Sequence, residues 1–313
     1  MTDDCLKTMV VPQCRFNMIT TTYNKTGRLE EIVYSIKQNL ENDLIEKCFI
    51  LLEVELQDTS SFNTFINKNN YDKYINEINN NFLELLKNDK IEIYLIDSRP
   101  TYKDFFNFCN NYDNVIWILC NSDIHFPKWN RNKLRLLLDK NYNKETFVLT
   151  RYDIYNDLPN LYKKQKGVCI NYNNIKYMTQ TNDGGSVDSW IFKTPFNYDE
   201  INVDFELGVA GCDERMNYQL SKIKKVINPC LDIISIHKHT NWSKEPYKTR
   251  CYKNKKYSEE QHDKIMKSNG LNHFKHISFS KIDVKMPKII NTSYLHYAKQ
   301  QQKQKHVIEM LLI

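Results

Sequence analysis

Apolar residues in this chain fall into short continuous runs separated by stretches of helical spacing, and the alternation begins near the start. Phe16 to Thr22 is an apolar, β-branched run that predicts a first strand. Lys25 to Asn42 then carries Leu29, Ile32, Val33, Ile36 and Leu40 at the spacing of one helix face. Cys48 to Val54 is uninterruptedly apolar, as strands buried on both faces of a parallel sheet are. Tyr71 to Leu86 predicts a second helix, Ile91 to Ile96 a third strand, Tyr102 to Asn110 a short helix and Val115 to Cys120 a fourth strand. Strand and helix alternating four times predict an α/β fold with a doubly wound, mostly parallel central sheet flanked by helices. Ligands on such sheets bind at the carboxyl ends of the strands, where Thr21 to Tyr23, Arg99 and Asn121 to Asp123 all fall.

The second half is less regular. Lys128 to Lys140 and Gly211 to Lys222 have helical spacing, whereas Thr146 to Tyr152, Ser186 to Lys193, Val226-Ile227 and Ile233 to Ile236 predict strands. Tyr155 to Asp183 is polar and is expected to be loop-rich. Beyond Tyr247 the chain turns Lys-, Ser- and Asn-rich, so the expected organisation is a catalytic domain over 1–247 and an extension over 248–313. That extension is expected to end in a helix over Ser293 to Ile313, whose apolar end suits docking on the domain or pairing in a homodimer.

Composition narrows the function classes. With 313 residues and 41% hydrophobic content, one large core can form and wholesale disorder is excluded. The net charge of +6 is spread over separate Lys patches such as Lys163-Lys164, with no nucleic-acid-binding motif, which argues against a nucleic-acid partner. Nine dispersed cysteines without a CxxC pair read as reduced thiols, not as a disulfide framework or a zinc site. The acidic start lacks an apolar leader, and no run approaches the roughly 18 apolar residues of a membrane span. A cytoplasmic protein without a transmembrane segment is the expectation.

Several constellations carry chemistry. The fourth strand runs directly into Asn121-Ser122-Asp123, which places a carboxylate at the sheet edge, where a hard cation on a diphosphate would want it. The same residues are also good turn formers. Asp213 opens a helix, a position that stabilises the carboxylate anion and suits a general base at the mouth of a site. Gly184-Gly185 precedes Asp188 and Trp190 on a strand; Trp190 is either a stacking face for a sugar or an ordinary core residue. His237 and His239 end a later strand, and Thr150-Arg151-Tyr152-Asp153 ends another. Arg28 is placed to reach a carboxylate or phosphate, and Arg99 with Tyr102 would suit a uracil and diphosphate.

In their order, these features resemble the GT-A glycosyltransferases, family-2-like, and most of all the small cytosolic enzymes that large DNA viruses encode for capsid glycans. The resemblance covers residues 16 to 245. Asn121-x-Asp123 looks like the metal-binding DxD motif with Asn in the first slot, and Gly211-Cys212-Asp213 looks like the catalytic helix with Cys where the family has Glu. The resemblance implies transfer of a sugar from a nucleotide-sugar donor, a UDP-sugar being the first choice, to a glycan or protein hydroxyl, with inversion. It implies that Asp213 is the base and that Thr21, Thr22, Tyr23, Arg28, Arg99, Asn121 and Ser122 surround the donor. Arg151, Asp188 and Trp190 would then meet donor sugar or acceptor, and Mn2+ or Mg2+ would sit on Asp123 with His239 or His237. A viral member would work in the host cytoplasm. Two alternatives stand beside this: a nucleotidyltransferase, and a catalytically inactive scaffold that binds a glycan or protein partner.

Overall fold

The computed structural model describes residues 15–24, 26–54, 64–66, 69, 76, 78–128, 133, 137, 138, 140–158, 160–164, 167–180, 184–208, 211–239, 250–252, 255–257, 278 and 307–309. It has the expected α/β architecture, a central sheet flanked by helices. Strands β1 (Phe16–Tyr23), β2 (Ile45–Glu53), β4 (Ile91–Ile96) and β5 (Ile116–Cys120) run parallel in the order β4-β2-β1-β5. The short strand β3 (Thr64–Ile66), which the sequence pattern does not reveal, adds antiparallel to β4 at the edge.

Helix α1 (Leu29–Glu41) buries the expected Ile32, Val33, Ile36 and Leu40 against the sheet. Helix α2 (Asn80–Leu85) is shorter than the expected Tyr71–Leu86 because Asn79 caps it, accepting from the Asn81 amide at 3.0 Å. Residues 71–75 lie outside the described ones. Helix α3 (Tyr102–Cys109) starts at a capping box in which Thr101 and Asp104 each satisfy the other's backbone amide.

Past β5 the sheet changes character. β6 (Ile124–His125) is a two-residue strand. β7 (Glu145–Ile154) and β10 (Val187–Lys193) are antiparallel to one another, and β10 joins β5, also antiparallel. The stretch expected to be loop-rich instead contains helix α4 (Asn160–Lys163) and a hairpin of β8 (Cys169–Tyr172) and β9 (Ile175–Thr179). Its two-residue turn is Asn173-Asn174, both at positive φ, the geometry that suits the twist of a hairpin and that Asn tolerates. Helix α5 (Cys212–Ile223) follows, then β11 (Lys225–Ile227) and β12 (Ser235–His237), both parallel to β7.

In the extension, β13 (Arg250–Tyr252) and β14 (Lys255–Tyr257) form a separate two-stranded sheet. Within the expected C-terminal helix, β15 (Val307–Glu309) is a strand, parallel to β8. Val and Ile favour that extended pairing, and the rest of that segment lies outside the described residues. Among the described residues, no helix is long and apolar enough to cross a membrane, and Cys48, Cys109, Cys120, Cys169, Cys212 and Cys230 are free thiols.

Candidate active site

At the carboxyl ends of the parallel strands, the connecting loops, helix α1 and the strands β7, β10 and β12 bring charged side chains together. The Asn121-Ser122-Asp123 segment is a turn, closed by the Ile124 amide on the Asn121 carbonyl at 3.1 Å. The Lys238 amide donates to the Asp123 carbonyl at 2.9 Å, which fastens the end of β12 to that turn. Asp123 therefore meets His237: Nε2 lies 3.1 Å from Asp123 Oδ2, while Nδ1 lies 2.5 Å from Asp153 Oδ1 on β7. Arg28, the residue that caps α1 and not one turn inside it, also reaches Asp123 Oδ2, from Nη1 at 2.9 Å. Its Nε sits 2.6 Å from Glu31, which in turn meets His239 Nδ1 at 3.2 Å.

A second pair adjoins the first. Val187 and Ser189 face Thr150 and Leu149, neighbours on β7, so Asp188 is the extra residue of a β-bulge. Bulges re-aim a side chain, and this one turns Asp188 onto Arg151 Nη1 at 2.6 Å. Asn121 Nδ2 donates to the other Asp188 oxygen. That bond explains Asn in the first slot of the motif: a second carboxylate there would face Asp188 across a dry gap. Arg151 Nε lies 3.7 Å from Asp153, so the two groups share one network.

Burial and charge set the protonation states. Burial works against the Asp123 anion, but His237 and Arg28 overcome it and hold the carboxyl well below the usual range. For His237, burial and Arg151 oppose the charge, yet Asp123 and Asp153 raise it to about 9, so the ring is an imidazolium at neutral pH. Asp213 behaves otherwise than a helix-start acid would. Burial, with the charges of Glu214 and Asp188, pushes its carboxyl well above the ordinary range, and these outweigh the Cys212 hydrogen bond and the Arg151 charge, which act the other way. Gly211, left-handed at φ 74°, lets the chain turn into α5 just ahead of it. The Cys212 thiol donates to Asp213 Oδ1 at 3.1 Å, and the Tyr102 hydroxyl donates to Cys212 Sγ at 3.6 Å.

Of the residues expected from the sequence, Arg28, Asn121, Asp123, Arg151, Asp188, His237 and His239 join this network, and Asp213 lies where the charges of Asp188 and Arg151 act on it. Ser122 is half-buried in the turn itself. Thr21, Thr22 and Tyr23 end β1, where the Thr21 hydroxyl donates to the Leu51 carbonyl at 2.8 Å. Arg99 sits past β4, with Nε 3.8 Å from Glu53 at the end of β2. Trp190 turns inward: it is 1% exposed, stands edge-on to Tyr102 at 5.2 Å and donates to Asn217. It is a core residue, not an exposed stacking face.

Glu31 and Gln180, which donates to Asp153 at 3.1 Å, are members that motif reasoning missed. Glu31 was legible as the i+3 partner of Arg28.

A divalent cation on a donor diphosphate needs carboxylate oxygen or neutral imidazole nitrogen turned outward. Both His237 nitrogens are engaged by carboxylates, Asp123 Oδ2 is taken by Arg28, and His239 Nδ1 meets Glu31. Among the described residues, no three His, Cys, Asp or Glu side chains group as a metal-binding set. As arranged, these residues do not fit the ion that the sequence motif leads one to expect.

No protein-family model matches the chain, and no curated protein is similar to it. Similar solved structures include the mannosyltransferase PcManGT from Pyrobaculum calidifontis in complex with GDP-Man and Mn2+, at 10% identity and a TM-score of 0.38, covering 73% of this chain and 58% of that one. TarS 1-349 from S. aureus gives 11% identity and a TM-score of 0.34, over 72% of this chain and 58% of that one. The inositol-1-phosphate CTP transferase from T. maritima gives 12% and 0.37, over 75% and 93%. This chain thus spans little more than half the length of the first two.

Proposed function

We propose that this chain is a glycosyltransferase that moves a sugar from a nucleoside-diphosphate sugar, a UDP-sugar first, to a hydroxyl of a glycan or protein, with inversion. The observation that carries the reading is the setting of Asp213. It is a carboxyl at the start of α5 whose proton affinity is raised by burial and by Asp188, beside the charged network at the strand ends. A base with raised affinity is matched to removing a proton from an alcohol near neutral pH. The order of motifs along the chain and the α/β sheet with its site at the strand ends support the same reading.

The reaction is a single in-line displacement. The acceptor oxygen forms a bond to the anomeric carbon while the bond from that carbon to the diphosphate oxygen breaks. The leaving nucleoside diphosphate takes the electron pair, and the acceptor proton passes to Asp213. Cys212 holds the Asp213 carboxylate by its thiol, and Arg151 with Asn121 holds Asp188 behind it.

The test is to incubate the protein with UDP-, GDP- and dTDP-sugars and measure release of nucleoside diphosphate, with and without sugar or glycan acceptors. Turnover of one donor class, reduced about 100-fold or more in Asp213→Asn while nucleotide binding persists, supports the reading. Unchanged turnover in Asp213→Asn would remove Asp213 as the base. No turnover and no nucleotide binding would leave the inactive-scaffold reading.

A further inference from the structure

We infer that the leaving nucleoside diphosphate is held by the Arg28 guanidinium in the place a divalent cation would take, with Asp123 acting as the clamp that positions Arg28. The inference rests on the transferase reading above and adds how the developing charge is met.

Three observations lead there. First, Arg28 opens the α1 end of the β1–α1 connection, at the carboxyl edge of the sheet, and its side chain is 34% exposed beside an Asp123 side chain that is 13% exposed. Asp153, Asp188 and His237 lie beneath, at 2%, 2% and 4%. The open side of the network is therefore the side of Arg28.

Second, the guanidinium is anchored at two of its three nitrogens, Nε on Glu31 at 2.6 Å and Nη1 on Asp123 at 2.9 Å. The third, Nη2, is buried and has no hydrogen-bond partner. A dry donor without an acceptor is costly, and at a ligand site it marks where a ligand oxygen belongs. A planar fork held rigid on one side and unsatisfied on the other suits a phosphate oxygen.

Third, every carboxylate of the network already faces a cation of the protein. Asp123 has Arg28 and His237, Asp153 has His237 and Arg151, Asp188 has Arg151, and Glu31 has Arg28. A site built for a metal leaves carboxylates for the metal to neutralise. A cation on Asp123 Oδ2 would have to displace Arg28 from it.

Calorimetric titration of the full chain with UDP, GDP and dTDP, each in EDTA and in Mn2+, tests this. One nucleoside diphosphate is expected to bind in EDTA with an affinity within about threefold of that in Mn2+. Arg28→Ala is expected to weaken that binding about tenfold or more, with partial recovery in Arg28→Lys, which keeps the charge without the fork. Far-UV circular dichroism of each variant confirms folding, and the Arg28→Lys comparison reads the same point if Arg28→Ala fails to fold. Binding that requires Mn2+, or Arg28 variants that bind as the parent does, overturns the inference and leaves the transferase reading standing. Binding of no nucleotide in either buffer overturns both.

Discussion

The Cys212 thiol lies 3.1 Å from Asp213 Oδ1 and donates to it, at the point where α5 begins. In the glycosyltransferases that this segment resembles, a Glu stands where Cys212 is. A second carboxylate there would add like charge beside Asp213, whereas a thiol supplies a donor. Burial with Glu214 and Asp188 raises the Asp213 carboxyl, and the thiol works in the opposite direction. The Cys212 thiol is itself pushed well above its ordinary range by burial and so keeps its proton.

Cys212→Ala is therefore expected to move the basic form of Asp213 to still higher pH. The proposed transfer uses the carboxylate as base, so its rate is expected to rise with pH through this group, and the ascending limb of kcat/KM should shift to higher pH in the variant. At neutral pH the loss of one hydrogen bond amounts to about a two- to tenfold slower turnover. A pH–rate profile whose ascending limb stays in place would show that the thiol does not act on the base.

Asn121→Asp supplies the acidic first position of the DxD motif that this segment resembles, yet it should damage the protein. Asn121 Nδ2 donates to Asp188 Oδ1, and Asp188 is 1% exposed. The substitution replaces a donor with a like charge in a dry setting, costing about 2 kcal/mol or more. Urea unfolding would register this as a lower midpoint at unchanged slope. An unchanged or higher midpoint would mean that the site tolerates the paired carboxylates, as a metal ligand set would.

How far the sequence carries such arguments depends on the kind of information involved. The parallel half was readable because Phe16–Tyr23, Ile45–Glu53, Ile91–Ile96 and Ile116–Cys120 are apolar runs separated by helical spacing, and each element is local. Asp123 and Arg99 were readable because a polar residue after a buried strand has to emerge at the sheet edge. The β8–β9 hairpin was missed because its strands carry many polar residues and its Asn-Asn turn is hard to see in an Asn-rich chain. The engagement of His237 by two carboxylates was invisible, since it depends on β12 lying between β6 and β7, a pairing set by contacts more than 80 residues apart. The bulge at Asp188 likewise exists only once β10 and β7 are in register.

Trp190→Phe separates a core role from a sugar-binding one. The ring packs on Tyr102 and its Nε1 donates to Asn217 at 3.2 Å, in a setting 1% exposed. Losing that donor leaves a buried acceptor unmet and should destabilise the fold by about 1–3 kcal/mol. The KM for the donor and for the acceptor should stay within the error of the parent. A stable variant with a raised KM would place the ring against the substrate instead.

His237 should give the fold a stability that falls with alkaline pH. Its pKa is about 9 in the folded state against an ordinary 6.5, because Asp123 and Asp153 outweigh the effects of burial and Arg151. A group whose folded pKa is raised contributes fully below its unfolded value and loses that contribution as pH rises through the folded one. The window is thus about 6.5 to 9, and the contribution at its acid end is about 3 kcal/mol. The neighbouring His125 acts elsewhere: burial, Lys238 and His237 lower it to about 4, so it shapes stability only on the acid side of 6.5. Urea unfolding at pH 6, 8 and 9.5, compared between the parent and His237→Gln, isolates the effect, since cysteine and tyrosine ionisation in the unfolded chain is common to both. The difference in stability between the two should shrink as pH rises across the window. If it stays constant from pH 6 to 9.5, then His237 does not carry its proton between Asp123 and Asp153 in the folded protein.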